Sequence, residues 1–289
     1  MEQNIKLYST SCTITTPGHI VFLIDGGASM FTSYNGEETR ISFTERCINE
    51  IIIDILEECI SGLKISNKVF ISIYQYTIGG VKLLFNSDII SLFAKYKNEL
   101  NNWYRDKSYA FIKDIDVSDY GGGKLPETLS VVTGDIKLWE MAIKEGGRFI
   151  SSIRDNLEQR YAEFREPSKA PLIINITKGF PPLDNEEDVL REVDKIKNIS
   201  FPDGSPLLYN VLIPLYDDRV CFNITEDFVD SGWKLLFDIS SDFPTYWKQR
   251  WQIDIGKGCL LNPRNSKEIF DILIKPWMIP FRTSSPYSY

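Results

Sequence analysis

The chain has 289 residues, 43% apolar and 25% charged, with a formal net charge of −8. That composition fits one large globular domain or two small ones. A net-acidic surface repels phosphate backbones and anionic lipid, so nucleic acid and membrane surfaces are excluded as default partners, and no Lys/Arg cluster overrides this. The apolar runs are strand-sized, too short to cross a membrane as a helix, and the opening MEQNIKLYST lacks the basic start and apolar core of a signal peptide. A cytoplasmic location is expected. Cys12, Cys47, Cys59, Cys221 and Cys259 are odd in number and far apart, as free thiols in a reducing compartment would be. The sequons at Asn175, Asn198 and Asn223 have no meaning there, and Asn175 lies inside a strand-like run.

In chain order, residues 19–25 read as a buried strand that ends on Asp25 and two glycines. Residues 38–63 read as a helix, because Ile41, Ile48, Ile52, Ile55, Leu56, Cys59 and Leu63 recur at three- and four-residue spacing. KVFISIYQY (68–76) and GGVKLLF (79–85) read as a hairpin turned by Gly-Gly. Residues 88–103 read as a helix, and 104–135 as a long irregular loop containing DVSDYGGGKLPE. A long helix is expected over 136–163, and PLIINIT (171–177) is a continuous apolar run typical of a buried strand. Then follow an acidic helix (185–198), a strand (207–215), helices over 228–239 and 243–252, a short strand (259–261) and a last helix (265–275). The tail 282–289 is expected to be mobile. Strands alternating with helices imply an α/β fold: a doubly wound, mostly parallel central sheet with helices on both faces. Ligands of such sheets sit outside the carboxyl ends of the strands, where Asp25 and Lys178 both fall.

Those strand ends carry a resemblance. TPGHIVFLIDGGASM resembles the first strand and metal-site loop of von Willebrand factor A domains, where the pattern is Asp-x-Ser-x-Ser. APLIINITKGFPPLD resembles the later strand that usually ends Thr-Asp-Gly. GDIKLWEMAI (134–143) resembles the segment Gly-Gly-Thr-x-Met/Leu-x-x-Ala. The C-terminal stretches LLYNVLI, LLFDISSDFP and GKGCLLN are similar to a bacterial group of intracellular single-domain A proteins. The resemblance covers roughly 16–275 and implies one domain over 1–289, of von Willebrand A (Rossmann-like) architecture.

In that family the loops build a metal-ion-dependent adhesion site, in which oxygen side chains hold a hard divalent cation and an open position takes a partner's carboxylate. Here Asp25 and Ser29 are kept, whereas the middle serine is Gly27, the threonine position falls on Ile136 and the closing aspartate is Lys178. Two arrangements follow. Lys178 takes the place of the cation and pairs with Asp25, or Lys178 faces solvent and Asp25 caps the following loop through backbone N–H groups. Residual metal binding through Asp25, Ser29 and water is a third reading. No cofactor is implied.

Other constellations carry less. The single histidine, His19, starts the first strand roughly 20 Å from the Asp25 edge and is expected at the surface, which leaves no triad and no usual zinc site. DIDVSDYGGGKLPE (114–127) fails as a calcium loop, because Asp119 stands where glycine is needed and Leu125 where glutamate is. GGGK and GKGC lack phosphate-loop spacing. The aromatic segments PTYWKQRW (244–251) and IKPWMIPF (274–281) either pack helices on the sheet or, through Trp247 and Trp251, form an interface. The resulting expectation is a non-catalytic intracellular protein-interaction module with a degenerate metal site. It is expected to belong to a bacterial multi-protein system, with anti-phage defence the suggested setting. Its protein partner and oligomeric state are left open. The alternative is a divalent-metal-dependent adhesion domain.

Overall fold

Five apolar residues separate His19 from Asp25, and a run of that kind is comfortable only with both faces covered. The computed structural model describes residues 7–13, 16–34, 36–61, 64–94, 111, 112, 115, 124–144, 169–179, 185–213 and 231–279. In it β1 (Gly18–Asp25) is buried at every position and lies in the middle of a six-stranded sheet. A small antiparallel pair, β2 (Ile60–Ser61) and β3 (Lys64–Ile65), stands apart. The sheet continues with β4 (Val69–Thr77), β5 (Gly80–Asp88), β6 (Leu172–Thr177), β7 (Leu207–Leu212) and β8 (Cys259–Leu261), in the order β5-β4-β1-β6-β7-β8. Only β5 is antiparallel to its neighbour. The chain passes from β1 to one side of the sheet and later returns to β1's other side as β6. The switch in strand order is therefore between β1 and β6, where Asp25 and Thr177 end.

Alternation along β1 divides the core in two. Ile20, Phe22 and Ile24 pack with Ile48, Ile51 and Ile55 of α1 (Arg40–Cys59) and with Phe270 and Trp277 near the C-terminus. Val21 and Leu23 face the other layer, with Leu129, Val132 and Ile136 of α2 (Leu125–Lys144), Val189 and Val193 of α3 (Glu186–Lys197), and Leu236 and Ile239 of α4 (Ser231–Ile239). Helix ends follow local chemistry. Thr39 caps α1 by accepting from the Ser42 N–H, and Asn185 caps α3, which opens on Glu186, Glu187 and Asp188 and closes on Lys195 and Lys197. After α5 (Thr245–Trp251) and β8, α6 (Ser266–Ile269) widens into a π-helical turn over Phe270–Ile274 and continues as α7 (Lys275–Met278).

Four expectations change. The helix read over 38–63 ends at Cys59, and Ile60–Ser61 pair as strand β2. Helix α2 starts at Leu125, inside the stretch read as loop over 104–135. Pro126 is tolerated there, because in a first helical turn proline has no bonded N–H to lose. The last helix runs beyond 275 through Pro276, just after the widened turn. His19 is buried rather than exposed. Its Nε2 lies 2.9 Å from Ser72 Oγ, its ring meets Phe70 edge-on, and burial pushes its pKa down to about 3. The far part of the 88–103 helix, most of 104–124, residues 145–163, residues 214–215 and the tail 282–289 lie outside the described residues.

Two polar features cross this apolar frame. Tyr76 donates to Asn175 Oδ1 at 2.9 Å, and Asn175 Nδ2 donates to Asn210 Oδ1 at 2.8 Å. Asn210 Nδ2 in turn reaches the Leu236 carbonyl and Ser240 Oγ, both at 2.9 Å. Each member is matched, which makes a buried amide tolerable; the Asn175 sequon is closed by the same burial. At the opposite end of the strands, residues 7–13 form a strap. Tyr8 N–H donates to the Asp203 carbonyl at 2.8 Å, and Thr10 N–H to Asp203 Oδ1 at 3.1 Å. Lys169, fully buried, pairs with Asp203 Oδ2 at 3.0 Å, donates to the Thr10 carbonyl at 2.5 Å, and sits over the Trp247 and Trp277 rings. Gly204, at φ +139°, lets the Tyr8 ring approach; a Cβ there would lie 2.6 Å from ring carbons. Lys169→Met leaves the Asp203 carboxylate buried without its counter-charge. A loss of about 3–5 kcal/mol in urea unfolding is expected, with faster proteolysis of the strap.

Candidate functional site

Parallel pairing of Ile24 with Ile176 brings Thr177 beside Asp25. The Asp25 carboxylate is 3% exposed, and each oxygen has a partner at 2.8 Å: Oδ1 accepts the Gly27 N–H and Oδ2 faces Thr177 Oγ1. Gly26 turns the chain tightly against β4, its N–H bonded to the Tyr76 carbonyl at 2.8 Å. A Cβ on Gly26 would stand 2.6 Å from both Gln75 Nε2 and Thr77 Cγ2. Thr177 Oγ1 also lies 2.7 Å from the Gly179 carbonyl and accepts the Gly179 N–H at 3.1 Å.

A hydroxyl has one proton, and here two acceptors compete for it. With Asp25 ionised, Thr177 donates to it and the Gly179 carbonyl loses its bond. With Asp25 protonated, the carboxyl donates to Thr177, which then donates to Gly179. Burial raises the Asp25 pKa; the Gly27 and Thr177 hydrogen bonds and, least of all, the charge of Lys178 oppose that rise.

Lys178 does not replace the cation. It is half-buried one residue beyond Thr177, and among the described residues no ion pair joins it to Asp25, on which it acts only through space. The ion-pair arrangement is therefore corrected in favour of the capped carboxylate. Asp25 is already supplied with donors by its own strand end and by the neighbouring strand, so a lysine is not needed to hold it. Gly27 contributes its N–H, and Ser29 is half-buried in the short turn Ala28–Phe31. Ile136 is wholly buried in the apolar layer under the sheet and has no oxygen to offer. Among the described residues no group of three or more His, Cys, Asp or Glu side chains is placed to hold a metal ion.

The strand-end reading overlooked Thr177. Its signal was the run IINIT, whose final threonine aligns with Asp25 once β1 and β6 pair. Trp247 takes the packing alternative. It is fully buried, its indole N–H bonded to the Tyr8 carbonyl at 2.7 Å and its ring edge-on to Phe243, so it presents no surface. Trp251 is half-buried against the same core. Cys12, Cys59 and Cys259 are buried, with thiols pushed up to about 12, which suits packing and not nucleophilic attack. Cys221 lies outside the described residues. Two large apolar side chains are exposed where the chain leaves this edge of the sheet: Phe31 (49%) after the Gly27 turn and Ile78 (45%) after Thr77. Half-buried Trp233 of α4 lies against Gly179, where a Cβ would stand 3.0 Å from its indole nitrogen.

The strand order, the single antiparallel edge and the helices on both faces define a von Willebrand A-like α/β fold, and among the described residues its strand-end site holds no metal-binding cluster. No family model matches the chain, and no curated protein does. Among solved structures, a von Willebrand factor type A protein from Catenulispora acidiphila is 11% identical with a TM-score of 0.40, covering 77% of this chain. This chain spans only 37% of that protein's length. The SpRpn10 VWA domain is 11% identical (TM-score 0.40; 85% of this chain, 87% of that one). The TFIIH p34 N-terminal domain is 11% identical (TM-score 0.41; 68% and 81%). These are distant structural relationships, and the fold rests on the strand order and register.

Two substitutions test the site. Asp25→Asn keeps an acceptor for Gly27 and supplies an amide N–H to Thr177, which frees the Thr177 proton for Gly179. Because the folded Asp25 pKa lies above its unfolded value, the native state binds more protons between the two values, and this group's contribution falls as pH rises through that window. Relative to Asp25→Asn, the parent should lose stability as pH rises above the ordinary carboxylate value of about 4. Lys178→Ala should shift unfolding by no more than about 0.5 kcal/mol, whereas a buried ion pair would cost about 3 kcal/mol or more. Urea titrations across pH measure both.

Proposed function

We propose that this chain is a non-catalytic protein-interaction module whose binding needs no divalent cation. The observation carrying the proposal is the Asp25 carboxylate, with both oxygens already engaged by protein groups at 2.8 Å. A cation there would have to displace the Thr177 hydroxyl or share an oxygen with it. It would also find no side-chain oxygen at Gly27, none at Ile136 and an ammonium at Lys178. Partner affinity then comes from apolar and aromatic contact, with charge acting on encounter and specificity.

With Trp247 buried, the surface proposed for the partner is the Asp25 edge itself. Phe31 and Ile78 are exposed there, and Lys178, with no direct bond to Asp25, is available to an acidic group on the partner. The resemblance of the C-terminal stretches extends the proposal to a single-domain cytoplasmic subunit of a bacterial multi-protein system, with anti-phage defence as the setting. The buried cysteines, four of them free, support a reducing compartment. No helix among the described residues is long and apolar enough to cross a membrane. A metal-dependent adhesion domain is the second reading, favoured by the retained Asp25 and Ser29.

Calorimetry separates the two. Titration with Mg²⁺ or Mn²⁺ up to about 1 mM should give no saturable isotherm; a one-site isotherm with micromolar affinity supports the second reading. Partner capture, with the bound protein identified by mass spectrometry, should be unchanged by EDTA. It should weaken by about tenfold or more with Phe31→Asp, while Trp251→Ala leaves it unaltered.

A further inference from the structure

The end of the sheet opposite Asp25 holds a cavity of about 430 Å³, at the start of β7 between the strap and the link from α4 to α5. That volume is in the range of small-molecule sites. Two ammonium groups line it, Lys197 at the end of α3 and Lys257 ahead of β8. Lys257 is occupied: it donates to the Asp238 carbonyl at 2.6 Å and lies over the Phe237 ring. Lys197 is half-buried and forms no ion pair with any described residue. Burial and the neighbouring Lys257 charge both disfavour its protonated form, opposed by Asp194 and Asp242.

A hydroxyl completes the polar side. Ser241 is 9% exposed and lines the cavity; its oxygen accepts the Leu208 N–H at 2.9 Å, which leaves its proton for an occupant of the cavity. Tyr8, Pro206 and Pro244 supply apolar wall, alongside the polar Ser205 and Thr245. A half-desolvated lysine facing a second cation and a hydroxyl donor is best relieved by a negative charge.

We propose that this cavity binds a small organic anion, with a phosphate or carboxylate headgroup between Lys197 and Ser241 and a compact ring against Tyr8, Pro206 and Pro244. Asp242, exposed at the rim, limits the headgroup to low charge and favours a ligand with a donor on its outer side. The site is independent of the partner surface at the Asp25 edge.

The test is calorimetry of the full chain with phenyl phosphate, benzoate and inorganic phosphate as probes. Phenyl phosphate or benzoate should saturate one site more tightly than inorganic phosphate, and the stronger of the two identifies the headgroup. Lys197→Gln should weaken that probe by about tenfold or more, while Lys197→Arg keeps it within a few-fold. Lys195→Gln removes a nearby ammonium paired with Glu192 at 2.7 Å and should leave binding within about twofold. Absence of saturation by every probe up to about 10 mM overturns the proposal. Equal weakening by Lys195→Gln and Lys197→Gln also overturns it, because that is general charge attraction without a site.

Discussion

The hydrogen bond between Thr177 and Asp25 joins the two central strands at the point where strand order reverses, and the chemistry of this protein turns on it. A carboxylate at the end of a fully buried strand must be solvated by something. In a metal-dependent A domain the cation and its ligands do this. Here a threonine hydroxyl and a backbone N–H do it, and the carboxylate is left with a raised pKa. Lys178 stands between Thr177 and Gly179 at this strand end.

Lysine at 178 sets a positive charge at this edge without bonding Asp25. An aspartate at 178 would add a second carboxylate near Asp25 and call for a cation. Lysine removes that demand, and because the fold does not use it to neutralise Asp25, its ammonium stays available. Phe31 and Ile78 place apolar surface beside it. The edge thus sets a buried, protein-solvated carboxylate beside an ammonium and exposed apolar surface.

The rest of the molecule is stiffened by polar groups placed where an apolar core would leave choices open. The Tyr76–Asn175–Asn210–Ser240 chain crosses from β4 over β1 to α4, and every amide in it has one workable orientation. Lys169 and Asp203 clamp the strap at the far pole, between two tryptophans. The strap carries Tyr8, which both covers Trp247 and forms a wall of the cavity. Burying Trp247 and shaping that cavity are consequences of the same clamp.

Period and composition by themselves determined the architecture. Continuous apolar runs at 19–25 and 171–177, and the three- and four-residue recurrence through α1, follow from the sheet's two-sided burial and the helix repeat, both local properties. That Gly27, Ile136 and Lys178 carry no side-chain oxygen was equally legible, because it depends only on residue type. Which group answers Asp25 was decided in three dimensions. Strand register set Thr177 beside it, and no spacing along the chain encodes which strands become neighbours. The burial of His19 and Trp247 was decided the same way, by β4 and by the strap arriving from far along the chain. The start of α2 at Leu125 was not legible, because the cost of Pro126 depends on its position in a helix, and that position exists only once the helix does.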